Sequence, residues 1–63
     1  MSALEIYLCG QSKGFDVSDG NTFADQWAAA HNSIPPRPVF TSIQQACAWL
    51  SAMYTGPNPC ETK

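Results

Sequence analysis

The sequence predicts a small single α+β domain, ordered β-β-α-β-α, with a three-stranded, mainly antiparallel sheet and two helices packed on one face. Three observations lead there. Leu4, Ile6 and Leu8 alternate with Glu5, Tyr7 and Cys9 near the start of the chain. The stretch from Ile43 to Tyr54 carries the helical period. Between them, the prolines Pro35, Pro36 and Pro38 break the chain just before a short Val39-Phe40-Thr41 run.

The first strand is read over residues 4–9, because period-two alternation gives one strongly apolar face. Tyr7 and Cys9 make the other face only half polar, so partial cover on both sides is expected. Gly10-Gln11-Ser12-Lys13-Gly14 is turn chemistry, and Phe15 and Val17 alternate with Asp16 and Ser18 as a weaker second strand. A hairpin through that turn is the natural connection. Ser18 to Thr22 then reads as a loop ending in a helix cap at Asn21 or Thr22. Asp25 lies in the first turn, where negative charge suits the helix dipole. Phe23, Trp27 and Ala30 share the inward face of this helix, and Asn32 is its expected left-handed end.

Ser33 to Pro38 should be extended and stiff and cannot form a central strand, since proline donates no ladder hydrogen bond. Val39–Thr41 is expected as the third strand, lying beside the first in the order 2-1-3 and antiparallel, with a mixed sheet as the alternative. The second helix is the clearest element. Ile43, Ala46, Cys47, Leu50, Met53 and Tyr54 fall on one stripe at roughly 100° per residue. Thr41 or Ser42 can cap it, with a Gln following at capping-box spacing. Gly56 and Pro57 supply the stop. Residues 1–57 are thus expected as one compact domain, and 58–63 as a flexible tail.

A chain of 63 residues is one domain at most and has a small core. Its hydrophobic content of 44% and charged content of 13% belong to a folded chain. Three Lys and Arg against five Asp and Glu give a net charge of −2. Lys13, Arg37 and Lys63 are scattered, too few and too dispersed to supply the phosphate contacts that nucleic-acid binding needs. No apolar run approaches the length of a membrane span, and the start of the chain lacks a signal-peptide pattern. An odd number of cysteines with no close pair fits a cytoplasmic protein with reduced thiols.

Four motifs can be weighed against simpler accounts. Gly10 to Gly14 matches G-x-S-x-G, but no helix is expected after it and the chain has one histidine, so a turn explains it better than a nucleophile elbow. Cys9, His31, Cys47 and Cys60 are the residue types of a zinc site, without the close ligand pairs such sites use. They stand as the alternative reading, a small metal- or ligand-binding module. Asp16, Asp19, Asn21 and Asp25 do not fall at calcium-loop positions and read as a solvated turn and cap. Pro35-Pro36-Arg37-Pro38 has the composition of a polyproline ligand, though short proline linkers are commoner. His31 reads as a helix-end residue rather than a general base.

With no catalytic constellation, the expected function is non-enzymatic, with no cofactor. The chain is expected to bind another protein as an inhibitor, adaptor or modulator, or to form a homodimer. Free-standing domains of this size are typical of small accessory genes, including those of phages and mobile elements. The candidate partner-binding residues are Trp49, Met53, Tyr54 and Tyr7, because large aromatic and flexible apolar side chains serve both cores and binding hot spots. An exposed sheet edge would add to that surface.

Overall fold

The computed structural model describes residues 2–31 and 36–54. The described residues form three α-helices and no strand: α1 (Ala3–Ser12), α2 (Gly20–Ala30) and α3 (Ile43–Met53). The expected α+β class is therefore wrong, and each of the three expected strands has a separate explanation.

Residues 4–9 lie within α1. The helix starts at Ser2, whose Oγ accepts from Glu5 N at 3.2 Å while Glu5 Oε1 accepts from Ser2 N at 2.7 Å. This is a closed capping box, and it satisfies two of the backbone donors a helix start leaves free. Ile6, Cys9 and Gly10 form the buried stripe, at i, i+3 and i+4. Leu4 and Leu8, expected beside Ile6 in the core, are 65% and 52% exposed. The alternation of residues 4–9 misleads because this segment is apolar on nearly every side. Both the strand and the helix pattern then find matches in it.

The expected hairpin turn is the C-terminus of α1. Gly14 takes φ +85°, Phe15 N donates to Gly10 O at 2.9 Å and Gly14 N donates to Gln11 O at 3.1 Å. These two bonds are the Schellman pattern, which serves carbonyls at a helix end and favours glycine at the left-handed position. Residues 15–18 form a loop rather than a second strand. Asp16 N donates to Gln26 Oε1 at 2.8 Å, and Phe15 and Val17 turn inward against the core.

Asp19, rather than Asn21 or Thr22, caps α2: its Oδ1 accepts from Asn21 N at 3.0 Å and its Oδ2 from Thr22 Oγ1 at 2.9 Å. Phe23, Ala24, Trp27 and Ala28 are buried, whereas Ala30 is exposed. His31 is the C-cap of α2. Residues 36–40 belong to no helix and pair with no strand among the described residues. The expectation for α3 holds most closely. Ser42 caps it, accepting from Gln45 N at 3.2 Å. The side chain of Gln45 reaches one residue further back than a capping box requires, and accepts from Thr41 N at 2.7 Å.

α3 is the common partner, with α1 and α2 each packed along it. Ala46, Cys47 and Leu50 are its buried residues. They close the core with Ile6, Cys9, Phe23, Ala24, Trp27 and Phe40. Two glycines permit close approach. A Cβ on Gly10 would lie 2.2 Å from the Phe23 ring, and one on Gly20 would lie 2.6 Å from Ser42 O. Asn32, Gly56, Pro57 and the expected tail 58–63 lie outside the described residues.

Candidate partner-binding surface

α1 and α3 run side by side with a groove between them. Ala3, Leu4 and Tyr7 line it from α1, and Ile43, Gln44 and Cys47 from α3, around a cavity of about 440 Å³. The lining is mainly apolar, with Tyr7, Gln44 and Cys47 as the residues that carry polar groups. Leu8 lies one helical turn beyond Leu4, so the groove continues into an exposed apolar strip. The only charged residue of α1 is Glu5, and its carboxylate is turned back onto Ser2. Those bonds hold its pKa below the ordinary carboxylate value.

The four residues picked out from the sequence do not share one face. Tyr7 lines the groove. Trp49 leaves α3 on the opposite flank, half-buried, with its ring centroid 5.8 Å from that of Phe40. Met53 is 49% exposed. Tyr54 is turned into the core, its ring 6.3 Å from Trp27 and 5.0 Å from His31. Leu4, Leu8 and Ile43 were missed as surface residues. The signal that finds them is the capping box at Ser2 and Glu5, which rules out the strand and turns Leu4 and Leu8 away from Ile6.

Trp27, His31 and Tyr54 form an aromatic cluster at the end of α2, in which Trp27 and His31 stack and Tyr54 meets them at an angle. The His31 ring lies 4.9 Å from Trp27, and its Nδ1 is 2.8 Å from Trp27 O. A carbonyl oxygen only accepts, so Nδ1 carries a hydrogen and donates. This places His31 as a capping and stacking residue. Trp27 Nε1 and Tyr54 Oη are buried, with no hydrogen-bond partner among the described residues.

The four cysteine and histidine residues weighed as a metal site are differently engaged. Cys9 is disulfide-bonded, so it offers no thiolate, and reduced thiols throughout the chain are not what the structure holds. Cys47 is free and buried, and burial pushes its thiol pKa up. Cys60 lies outside the described residues. Among the described residues no group of three His, Cys, Asp or Glu is placed to hold a metal ion.

The acidic residues of the second loop act locally. Asp16 accepts from Ser18 Oγ at 2.6 Å and from Ser18 N at 2.9 Å, which lowers its pKa. Asp19 caps α2. Asp25 accepts from Arg37 through both oxygens, at 2.7 and 3.0 Å, and the Arg37 guanidinium holds its carboxyl below the usual range. The G-x-S-x-G match is the last turn of α1 and its Schellman cap. Among the described residues, no helix is long and apolar enough to cross a membrane.

No protein-family model matches the chain, and neither does any curated protein or solved structure.

Proposed function

We propose that this domain is a non-enzymatic binding module that acts by docking another protein along the α1–α3 groove. The observation that carries this reading is the composition of α1. α1 carries apolar side chains well beyond its buried stripe, interrupted by Glu5, Gln11 and Ser12, and so broad an apolar surface suits a buried setting. In α1 only the Ile6, Cys9 and Gly10 side is buried, and Leu4 and Leu8 face outward. Contiguous apolar surface beside a concave groove marks an interaction site more often than scattered exposed leucines do. Burying a leucine completely is worth about 1.5–3 kcal/mol, so these two half-exposed side chains hold roughly 2–3 kcal/mol that a partner could use. That amount is too small for a stable complex alone, and the groove lined by Tyr7, Ile43 and Gln44 would supply the rest.

The test is affinity capture from the source cell with the wild-type chain and with Leu4→Lys and Leu8→Lys. Both positions face solvent, so stability should change by no more than about 0.5 kcal/mol. A protein retained by the wild type and lost by both variants supports the reading. A partner set unchanged by either variant refutes it. A second copy of the chain is one form this docking could take. A monomer mass that does not vary with concentration would remove that form.

A further inference from the structure

The chain has three cysteines, Cys9, Cys47 and Cys60. Cys9 is disulfide-bonded, and Cys47 is a free thiol. A disulfide within this chain then leaves Cys60 as the one residue that can be joined to Cys9. The pairing follows from the state of the other two cysteines, since Cys60 itself lies outside the described residues.

The cross-link starts where it can constrain most of the fold. Cys9 belongs to the buried stripe of α1 and shares the core with Ile6, Phe23 and Leu50. A bond from residue 9 to residue 60 closes a loop that contains both α2 and α3. Closing a loop of about 50 residues removes much of the freedom of the unfolded chain and raises the folded-to-unfolded ratio by roughly 30- to 1,000-fold. A chain of 63 residues stands to gain from this. Below about 70–80 residues a single core stabilises a domain only modestly, and disulfides are a usual addition. The surroundings also suit a permanent bond rather than an exchanging one. Exchange needs a thiolate with access to one of the two sulfurs, and Cys9 is 2% exposed. Cys47 is buried, and burial keeps its thiol protonated, so it is a poor attacker and leaves the pairing fixed.

We propose that Cys9 and Cys60 form a structural disulfide that staples the three-helix fold, and that the protein works in an oxidising compartment. Such bonds form and persist there, and are rare where glutathione and thioredoxin keep thiols reduced. The odd cysteine that pointed to a reduced, cytoplasmic chain is Cys47, which is buried as a small core residue. Forming the bond converts two thiols to one S–S bond. The two electrons and two protons pass to a disulfide-bearing oxidant of that compartment, which is reduced to a dithiol. The proposal does not depend on a partner docking in the α1–α3 groove.

The test is thiol trapping in the source cell, followed by peptide mapping of the full chain. Cells are quenched with acid, the protein is denatured, and free thiols are tagged with a maleimide. A single tag on Cys47 is expected, and more than one tag per chain would overturn the proposal. Chymotrypsin, used without reductant, cuts at Trp49 and Tyr54 and so separates Cys47 from Cys60. The peptide holding Cys9 should be recovered joined to the one holding Cys60. Finding it joined to the Cys47 peptide, or to a second copy of itself, would overturn the pairing. Cys60→Ala removes the bond without altering a described residue. In urea melts it should lower the folded-to-unfolded ratio by the same factor as reduction of the wild type, whereas Cys47→Ala should keep the cross-link. A Cys60→Ala variant as stable as the oxidised wild type would refute the role as a staple.

Discussion

Gly10→Ala is the most demanding test of the packing described above, because two effects of opposite sign meet at one atom. Gly10 lies inside α1, where alanine is the better helix former by about 1 kcal/mol. The added methyl would sit 2.2 Å from Phe23 Cζ and 2.3 Å from Cε2. Ordinary contact begins near 3.4 Å, so the ring must retreat by roughly 1.2 Å. It has little room to do so. Phe23 is fully buried, and the rings of Phe15 and Trp27 lie 6.0 and 6.3 Å from it. Overpacking a filled core costs about 1–3 kcal/mol, and a rigid ring enclosed on several sides belongs at the upper end. The net expectation is a loss of about 2 kcal/mol, or a fall in Tm of roughly 8–16 °C for a domain of this size. Thermal and urea melts followed by circular dichroism measure it. Phe23→Leu shortens the side chain that the methyl meets, so the Gly10→Ala penalty should shrink in that background. A Gly10→Ala variant more stable than the wild type would show the helix-propensity gain without the clash, and would refute the close approach of α1 to Phe23.

The remaining predictions concern caps, charges and thiols. Ser2→Ala opens the capping box and should cost about 1 kcal/mol, read from the same melts. Glu5, Asp16 and Asp25 all have folded-state pKa values below their unfolded ones. Their contribution is therefore fully present above the unfolded value near 4 and is lost as pH falls through the folded value. Tm should accordingly be flat from pH 7 to about 5 and decline below about 4, and a melt series that declines between pH 7 and 5 would contradict this. Burial keeps the Cys47 thiol protonated, so it should react slowly with a thiol reagent in the native state and rapidly in denaturant. Reduction of the Cys9 disulfide should lower stability by about 2–4 kcal/mol, seen as a lower Tm with reductant.

The parts of the fold that the sequence makes legible are those where a single period dominates. α3 shows one apolar stripe and one polar face, and its stripe and cap are found where expected, apart from Met53, which is exposed. In α2 the face is right at Phe23 and Trp27, while the start lies earlier because Asp19 outcompetes Asn21 and Thr22 as the cap. α1 is missed because its apolar residues satisfy two periods at once. Alternation then outweighs a capping box that is present in Ser2 and Glu5. Residues 36–40 are misread in a different way: Arg37 is held by Asp25 and Asn21 while Phe40 enters the core, and no hydropathy pattern groups an arginine with a phenylalanine. The candidate surface suffers from the same error as α1, since a strand would have buried Leu4 and Leu8 beside Ile6.

The position of α3 also bears on biosynthesis. α1 and α2 both pack chiefly along α3 and meet each other mainly where Phe23 covers Gly10. During translation the first two helices leave the ribosome while the surface they need is still unmade. Short isolated helices are marginal in water, so neither can hold its shape in the meantime. The core closes only after Leu50 has emerged. Until then Phe23, Trp27 and the leucines of α1 are all open to chaperones on the nascent chain.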